Sequence, residues 1–216
     1  MSPSPDPIVV AFTGASGAVY GIRLIEVLLS QGASVHLVIS PAAYRVFETE
    51  VGLKLETGPV TPDRLFSVPL RWWQERISTP RSETGQLLVH GYQDYSAGIA
   101  SGSFRTRGMV ICPCSMGTLA AVAQGLSTNL IQRAADVHLK ERRKLVLGVR
   151  ESPLHEIHLE NMLKLARMGA VILPLMPGFY NKPSSIEDLV DHVVMRMLDQ
   201  FGFDSSAVPR WAGMSK

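Results

Sequence analysis

Residues 8–21 read IVVAFTGASGAVYG, and this stretch decides the fold. Ile8 to Phe12 is an unbroken apolar run, the pattern of a strand buried on both faces. The run ends in a Gly- and Ser-rich elbow. Tyr20 to Leu29 then carries Ile22, Ile25, Leu28 and Leu29 at helical spacing, with Gly32 as a stop. Strand, glycine elbow and helix together open an α/β unit whose loop can hold a phosphate.

The elbow excludes two familiar phosphate binders. No Gly-Lys-Ser/Thr follows the strand, so it is not an ATP loop. Gly14, Gly17 and Gly21 are spaced G-x-x-G-x-x-x-G, which is one residue too long in the last gap for the extended short-chain dehydrogenases. Ser40 ends the second strand, HLVIS, where an NAD site usually presents an acid to the adenine ribose. No tyrosine is followed four residues later by lysine, so the reductase pair is missing too. A mononucleotide such as FMN, with one phosphate and no adenosine half, fits better. Thr13 and Ser16 add hydroxyls, and the helix opening near Gly17 is expected to turn free N–H groups towards an anion. A turn that only packs strand against helix is the bland alternative.

Further along, Val35–Ile39 reads as a second strand and PAAYRVFETEVG as a second helix with Pro41 in its first turn. Residues 54–107 hold one short strand, QLLVHG, and the Gly/Ser-rich SAGIASGSF. Strands follow at Met109–Cys112, Leu145–Val149 and Ala170–Leu173. Helices are expected from SMGTLAAVAQGL, over Asn129–Arg143, over His155–Met168 and over Ser185–Phe201. The last is capped by Ser184 with Glu187 or by Ser185 with Asp188. Strands alternate with helices and nothing repeats internally. The expected fold is therefore α/β, a single Rossmann-like doubly wound domain with a mainly parallel sheet over residues 8–203. A short disordered tail at 1–7 and a C-terminal tail at 204–216 flank it. Ligands bind such sheets at the carboxyl ends of the strands, where strand order reverses.

Composition narrows the partners. The 216 residues are 46% hydrophobic and 19% charged, enough for one α/β core with surface left to bury in an oligomer. A net charge of +2 is too small to argue for nucleic acid. No apolar run is long enough to span a membrane, and MSPSPDP lacks the pattern of a secretory signal. Two cysteines make no disulfide framework, and a cytoplasmic location is expected. Cys112 and Cys114, spaced C-x-C without a second pair, read as buried and inert rather than metal-binding, and HEIH is not a zinc motif.

Several motifs carry possible chemistry. VICPCSMGTLAAVA repeats the phosphate logic, with Ser115, Gly117 and Thr118 opening a helix after a strand. Arg133 and Lys140, seven residues apart in one helix, share a face that suits either a site or solvent. Arg142, Arg143 and Lys144 read as solvated. Arg150 and Glu151 stand at a strand's carboxyl end, as a surface ion pair or as an anion clamp beside a general acid/base. Arg196 falls at the edge of the apolar stripe Ile186, Leu189, Val190, Val193 and Met197, and PGFYNKP supplies Tyr180. Two anion sites are expected, one at the first loop and one assembled from Lys140, Arg150, Tyr180 and Arg196.

TGASGAVYG, CPCSMGTLAAVAQGLSTNLIQRAADVHLKERRKLVLGVRE, HLENMLKLARMGAVILP and PGFYNKPSSIEDLVDHVVMRMLD together closely resemble the UbiX-type flavin prenyltransferases. The resemblance implies transfer of a dimethylallyl group from dimethylallyl monophosphate to N5 and C6 of reduced FMN, without a metal. Prenylated FMN would then serve a UbiD-type decarboxylase, in ubiquinone synthesis or aromatic-acid decarboxylation. By the same resemblance FMN contacts fall on Gly14, Ala15, Ser16, Ser40, Ser115, Met116, Gly117, Thr118 and Arg150, with Arg133 in support. Donor-phosphate contacts fall on Lys140, Arg150, Tyr180 and Arg196. Glu50 and Glu151 are the carboxylates near the reacting groups, and Trp211 closes over the site from the tail. A homododecamer is implied. The rival readings are an FMN-dependent aromatic-acid decarboxylase and an FMN carrier. Similarly folded decarboxylases use a histidine after the early helix, and SPAAYRVFETE has none.

Overall fold

The computed structural model describes residues 6–56, 58–69 and 85–203. In chain order the elements are β1 (Ile8–Phe12), α1 (Ala18–Ser30), β2 (Ser34–Ile39), α2 (Pro41–Val51), α3 (Pro62–Leu65), β3 (Gln86–His90) and β4 (Gly108–Cys114). They continue with α4 (Met116–Ala123), α5 (Leu130–Lys140), β5 (Lys144–Val149), α6 (Glu156–Arg167), β6 (Val171–Ile172) and α7 (Ile186–Asp199). Six parallel strands form one sheet in the order β3-β2-β1-β4-β5-β6. The doubly wound fold is as expected.

β1 lies at the centre, with Ile8 opposite both Val35 of β2 and Gly108 of β4. All five of its residues are buried, and their alternation divides them between two cores. Ile8, Val10 and Phe12 face the layer of α1, α2 and α7, while Val9 and Ala11 face that of α4, α5 and α6. Gly21 lets α1 lie down on the sheet, since a Cβ there would sit 2.4 Å from the Phe12 ring and 2.5 Å from the Cys112 carbonyl. A buried ion pair then ties α1 to α7, with Arg23 Nε 2.8 Å from Asp191 Oδ1.

The helix caps follow local rules. Ser40, Ser115, Asn129 and Ser185 each accept the backbone N–H three residues on, in the first turn of the helix that follows. Of the two expected boxes at the last helix, Ser185 with Asp188 is the one that forms. α5 stops at Lys140 rather than Arg143, because Arg142 takes a left-handed conformation at φ 53° and turns the chain into β5. This corrects the solvated reading of Arg143. Its guanidinium donates to the carbonyls of Phe104 at 2.7 Å and Gly102 at 2.5 Å, pinning the 97–104 loop onto α5.

Both cysteines are fully buried, and burial drives their thiols upward, to about 12 for Cys114. Their burial is as the sequence suggests. Among the described residues, no helix is long and apolar enough to cross a membrane, and no three His, Cys, Asp or Glu side chains cluster as a metal site.

Candidate active site

The strand order reverses between β1 and β4, and the loops leaving these two strands form a crevice at the carboxyl edge. Thr13 joins the loops. Its Oγ1 donates to the Pro113 carbonyl at 2.7 Å and accepts the Ser115 amide at 2.8 Å, while its own amide donates to Pro113. Thr13 is only 2% exposed, so this clasp is dry.

Ser115 caps α4. Its Oγ accepts the Thr118 amide at 3.3 Å and donates to Thr118 Oγ1 at 3.1 Å. The first N–H groups of a helix have no partner inside it, which leaves the Met116 and Gly117 amides as donors at this end. A Cβ on Gly117 would meet nothing within 4 Å, so the space beside the helix start admits a ligand. Small side chains, an open flank and helix-end amides fit a phosphate or a polar ring edge.

The first loop differs from expectation. The carboxylate of Glu50, at the end of α2, accepts the amides of Gly17 at 2.9 Å and Ala18 at 3.0 Å. The N-terminus of α1 is therefore closed by an internal anion instead of being turned towards an external one. Gly17 adopts φ 116°, a left-handed conformation that brings its amide round to Glu50. In the same loop Gly14 is exposed and packs close to Ala42, Ala15 is buried and Ser16 is half-buried. Ser40, 7% exposed, lies beside them at the end of β2, where its amide donates to the Phe12 carbonyl at 3.0 Å.

Arg150 follows β5 and reaches across the end of β4, with Nε 3.4 Å from the Ser16 carbonyl. The first loop thus meets the α4 start through Thr13 and the Arg150 guanidinium through Ser16. Glu151 is exposed and takes the Ser152 amide at 3.0 Å, so neighbouring Arg150 and Glu151 turn to different partners.

On the β6 side of the sheet, Tyr180 and Arg196 each neighbour His192. Arg196 lines a groove of about 330 Å³ with Leu173, Met176 and His192, and its guanidinium holds Asp199 at 2.9 Å. The Tyr180 hydroxyl lies 3.1 Å from His192 Nε2. Of the apolar stripe read for this helix, Ile186 is exposed while Val190, Val193 and Met197 are buried.

Lys140 does not join them within one chain. It ends α5, four residues before Lys144, which opens β5 opposite Gly108 at the amino edge of the sheet. β5 then separates that edge from Arg150 by roughly 17 Å at about 3.3 Å per residue. The Lys140 ammonium pairs with Glu141 near Gly102. On the same helix Arg133 donates to the Ala100 carbonyl at 2.9 Å and to Asp136 at 2.8 Å. The expected four-residue anion site is therefore divided, with Lys140 at the opposite edge from Arg150. Trp211 lies outside the described residues.

Sequence reasoning missed the Thr13 clasp, the Glu50 cap, the Arg143 brace and His192. Each joins residues distant in the chain or depends on which way a side chain turns, so no local pattern announced it.

Strand order and crevice define the class: a doubly wound, mononucleotide-binding α/β protein. The model of the Flavoprotein family matches residues 2–198. The flavin prenyltransferase UbiX of Pseudomonas aeruginosa is 50% identical over 207 residues, 96% of this chain and 94% of the relative. A crystal structure of AnUbiX (PadA1) in complex with FMN and dimethylallyl pyrophosphate is 43% identical, with TM-score 0.81 over 98% of this chain and all of that one. A dodecameric FMN-dependent UbiX-like decarboxylase from Escherichia coli O157:H7 is 42% identical, with TM-score 0.78 over 96% of this chain and all of that one. The chain belongs to the Flavoprotein family, among the UbiX flavin prenyltransferases.

Proposed function

We propose that this chain is a flavin prenyltransferase that moves the dimethylallyl group of dimethylallyl monophosphate onto N5 and C6 of reduced FMN. The allylic C–O bond and the C=C π bond break, one C–N and one C–C bond form, N5 and C6 each give up a proton, one proton is added to the central prenyl carbon, and phosphate leaves with the other. The observation that carries this reading is the crevice itself. Its two helix-opening loops are clasped by Thr13, and Arg150 stands over them beside a carboxylate, Glu151, that it does not neutralise. A carrier would need the loops but not that acid.

Gly14, Ala15, Ser16, Ser40, Ser115, Met116, Gly117 and Thr118 would hold FMN, with Arg150 at its edge and Arg133 in support. Reduced FMN supplies the electron-rich N5 and C6. Arg150, Tyr180 and Arg196 would bind the donor phosphate and stabilise the charge that grows on it as the C–O bond breaks, a role suited to preorganised cations and hydroxyls. Glu151 would take the proton released at C6. Glu50 stands near the same loop, with its carboxylate already organised by two amides. Trp211 would close the site from the tail.

Lys140 fits the donor site only as a residue of another copy, given its place at the opposite edge. A homo-oligomer, a dodecamer as in the Escherichia coli neighbour, would supply it. Exposed Ile157, Leu159 and Leu163 on α6, with Met176 and Phe179 beyond β6, offer the apolar surface such an assembly buries. A cytoplasmic location and a UbiD-type decarboxylase as recipient complete the reading.

The test is anaerobic incubation with reduced FMN and dimethylallyl monophosphate, then the pyrophosphate in parallel, followed by mass spectrometry of the released flavin. A flavin heavier by one dimethylallyl-derived unit is expected. Unchanged flavin, with FMN bound tightly, would favour a carrier, and CO2 release from an aromatic acid by this chain alone would favour a decarboxylase.

A further inference from the structure

His192 stands one turn before Arg196 on α7 and lines the same groove. Its two ring nitrogens have different partners. The Gly178 amide donates to Nδ1 at 3.2 Å, and Nε2 lies 3.1 Å from the Tyr180 hydroxyl, with the two rings edge-on. A backbone amide can only donate, so Nδ1 is the bare nitrogen. A neutral imidazole then carries its proton on Nε2. Burial, and then the Arg196 cation, lower the His192 pKa, which keeps the ring neutral at neutral pH.

The tautomer fixes the direction of the next bond. Nε2–H donates to Tyr180 Oη, so the phenol's own hydrogen is turned away from His192 as a donor. A phenol that accepts one bond is also polarised as a donor in the next. Facing an anion, that orientation attracts, whereas the lone pairs alone would repel. Gly178 makes the arrangement possible. A Cβ there would sit 2.9 Å from the Tyr180 ring and 3.2 Å from His192 Nε2, between the two side chains.

We propose that His192 is a positioning residue that sets Tyr180 as hydrogen-bond donor to the phosphate leaving group of the allylic donor. The inference rests on the reading of Tyr180 as a donor-phosphate contact, and the test separates the two. Kinetics with reduced FMN and varied dimethylallyl monophosphate are compared for His192→Phe, His192→Asn and His192→Gln, each with Tyr180 intact and with Tyr180→Phe. FMN affinity is measured alongside.

With Tyr180 intact, His192→Phe and His192→Asn should each lower kcat/KM for the prenyl donor roughly three- to tenfold, the value of one net hydrogen bond, with FMN affinity unchanged. Asn keeps an acceptor for Gly178 but does not reach the tyrosine, and it carries the test if the Phe variant does not fold. Gln, whose amide can stand at the Nε2 position, should retain most activity. In the Tyr180→Phe background none of the three should cost anything further. Full activity of His192→Asn beside an impaired Tyr180→Phe overturns the role of His192. Equal losses in both backgrounds overturn it as well, by showing an effect that bypasses the tyrosine. No effect of Tyr180→Phe alone overturns the underlying reading of Tyr180.

Discussion

Thr13 and Ser115, a hundred and two residues apart, are joined by a 2.8 Å hydrogen bond from the Ser115 amide to the Thr13 hydroxyl. The same hydroxyl donates to Pro113 at 2.7 Å, so one side chain sets the spacing of both loops of the crevice. A buried donor left without a partner costs about 1–3 kcal/mol.

Thr13→Val keeps the shape and removes both bonds. Chemical denaturation should show a loss of about 1–3 kcal/mol, and FMN titration by fluorescence should show weaker binding. Thr13→Ser should restore most of both, because the oxygen and not the methyl holds the clasp.

Glu50 closes α1, and removing a cap costs about 0.5–2 kcal/mol. Glu50→Ala should therefore lower stability by that amount and slow prenyl transfer. Glu50→Gln retains one acceptor oxygen for the Gly17 and Ala18 amides but cannot exchange a proton. It should keep most of the stability and still lose rate if Glu50 handles a proton. Equal stability loss in both variants would confine Glu50 to capping through its charge.

His36 on β2 and His90 on β3 are hydrogen-bonded, with His36 Nδ1 2.9 Å from His90 Nε2. Burial first, and then the charge of His90, lower the His36 pKa from 6.5 to about 4, and burial lowers that of His90 as well. The folded state thus binds fewer protons than the unfolded chain in this range. Stability is fully present above pH 6.5 and is lost as pH falls towards about 4. Denaturation midpoints measured from pH 7.5 to 4.5 should fall, and His36→Gln should flatten that fall.

Lys140 and Arg196 belong to different faces of one chain. If each completes a site shared between copies, Lys140→Ala and Arg196→Ala should each slow prenyl transfer by about 10²–10³. Mixed oligomers of the two variants, formed by co-expression, should regain a fraction of activity, because some sites would then hold both cations. Activity no higher than the parents' would place the two residues in unrelated roles.

Much was legible locally. The unbroken run Ile8–Phe12 told of a strand buried on both faces, and SSIED told of the cap on α7, because both depend on neighbours in the chain. The misspaced glycines and Ser40 favoured a mononucleotide through the groups they lack. The grouping of Lys140 with Arg150 was different. The seven-residue spacing of Arg133 and Lys140 says that those two side chains share a helix face, but not which edge of the sheet that helix end reaches, nor whether Arg150 lies there.

What the sequence by itself determined is therefore the alternating α/β pattern, the parallel sheet it implies, and the residue types at the strand ends. Those properties are periodicity, capping and loop chemistry, all written within a few residues. Only the tertiary structure decided that Glu50 closes the helix meant for an outside anion, that Thr13 ties two loops into one crevice, and that Lys140 stands at the far edge. These are contacts between segments brought together by strand order, and no pattern within a few residues says which strands become neighbours.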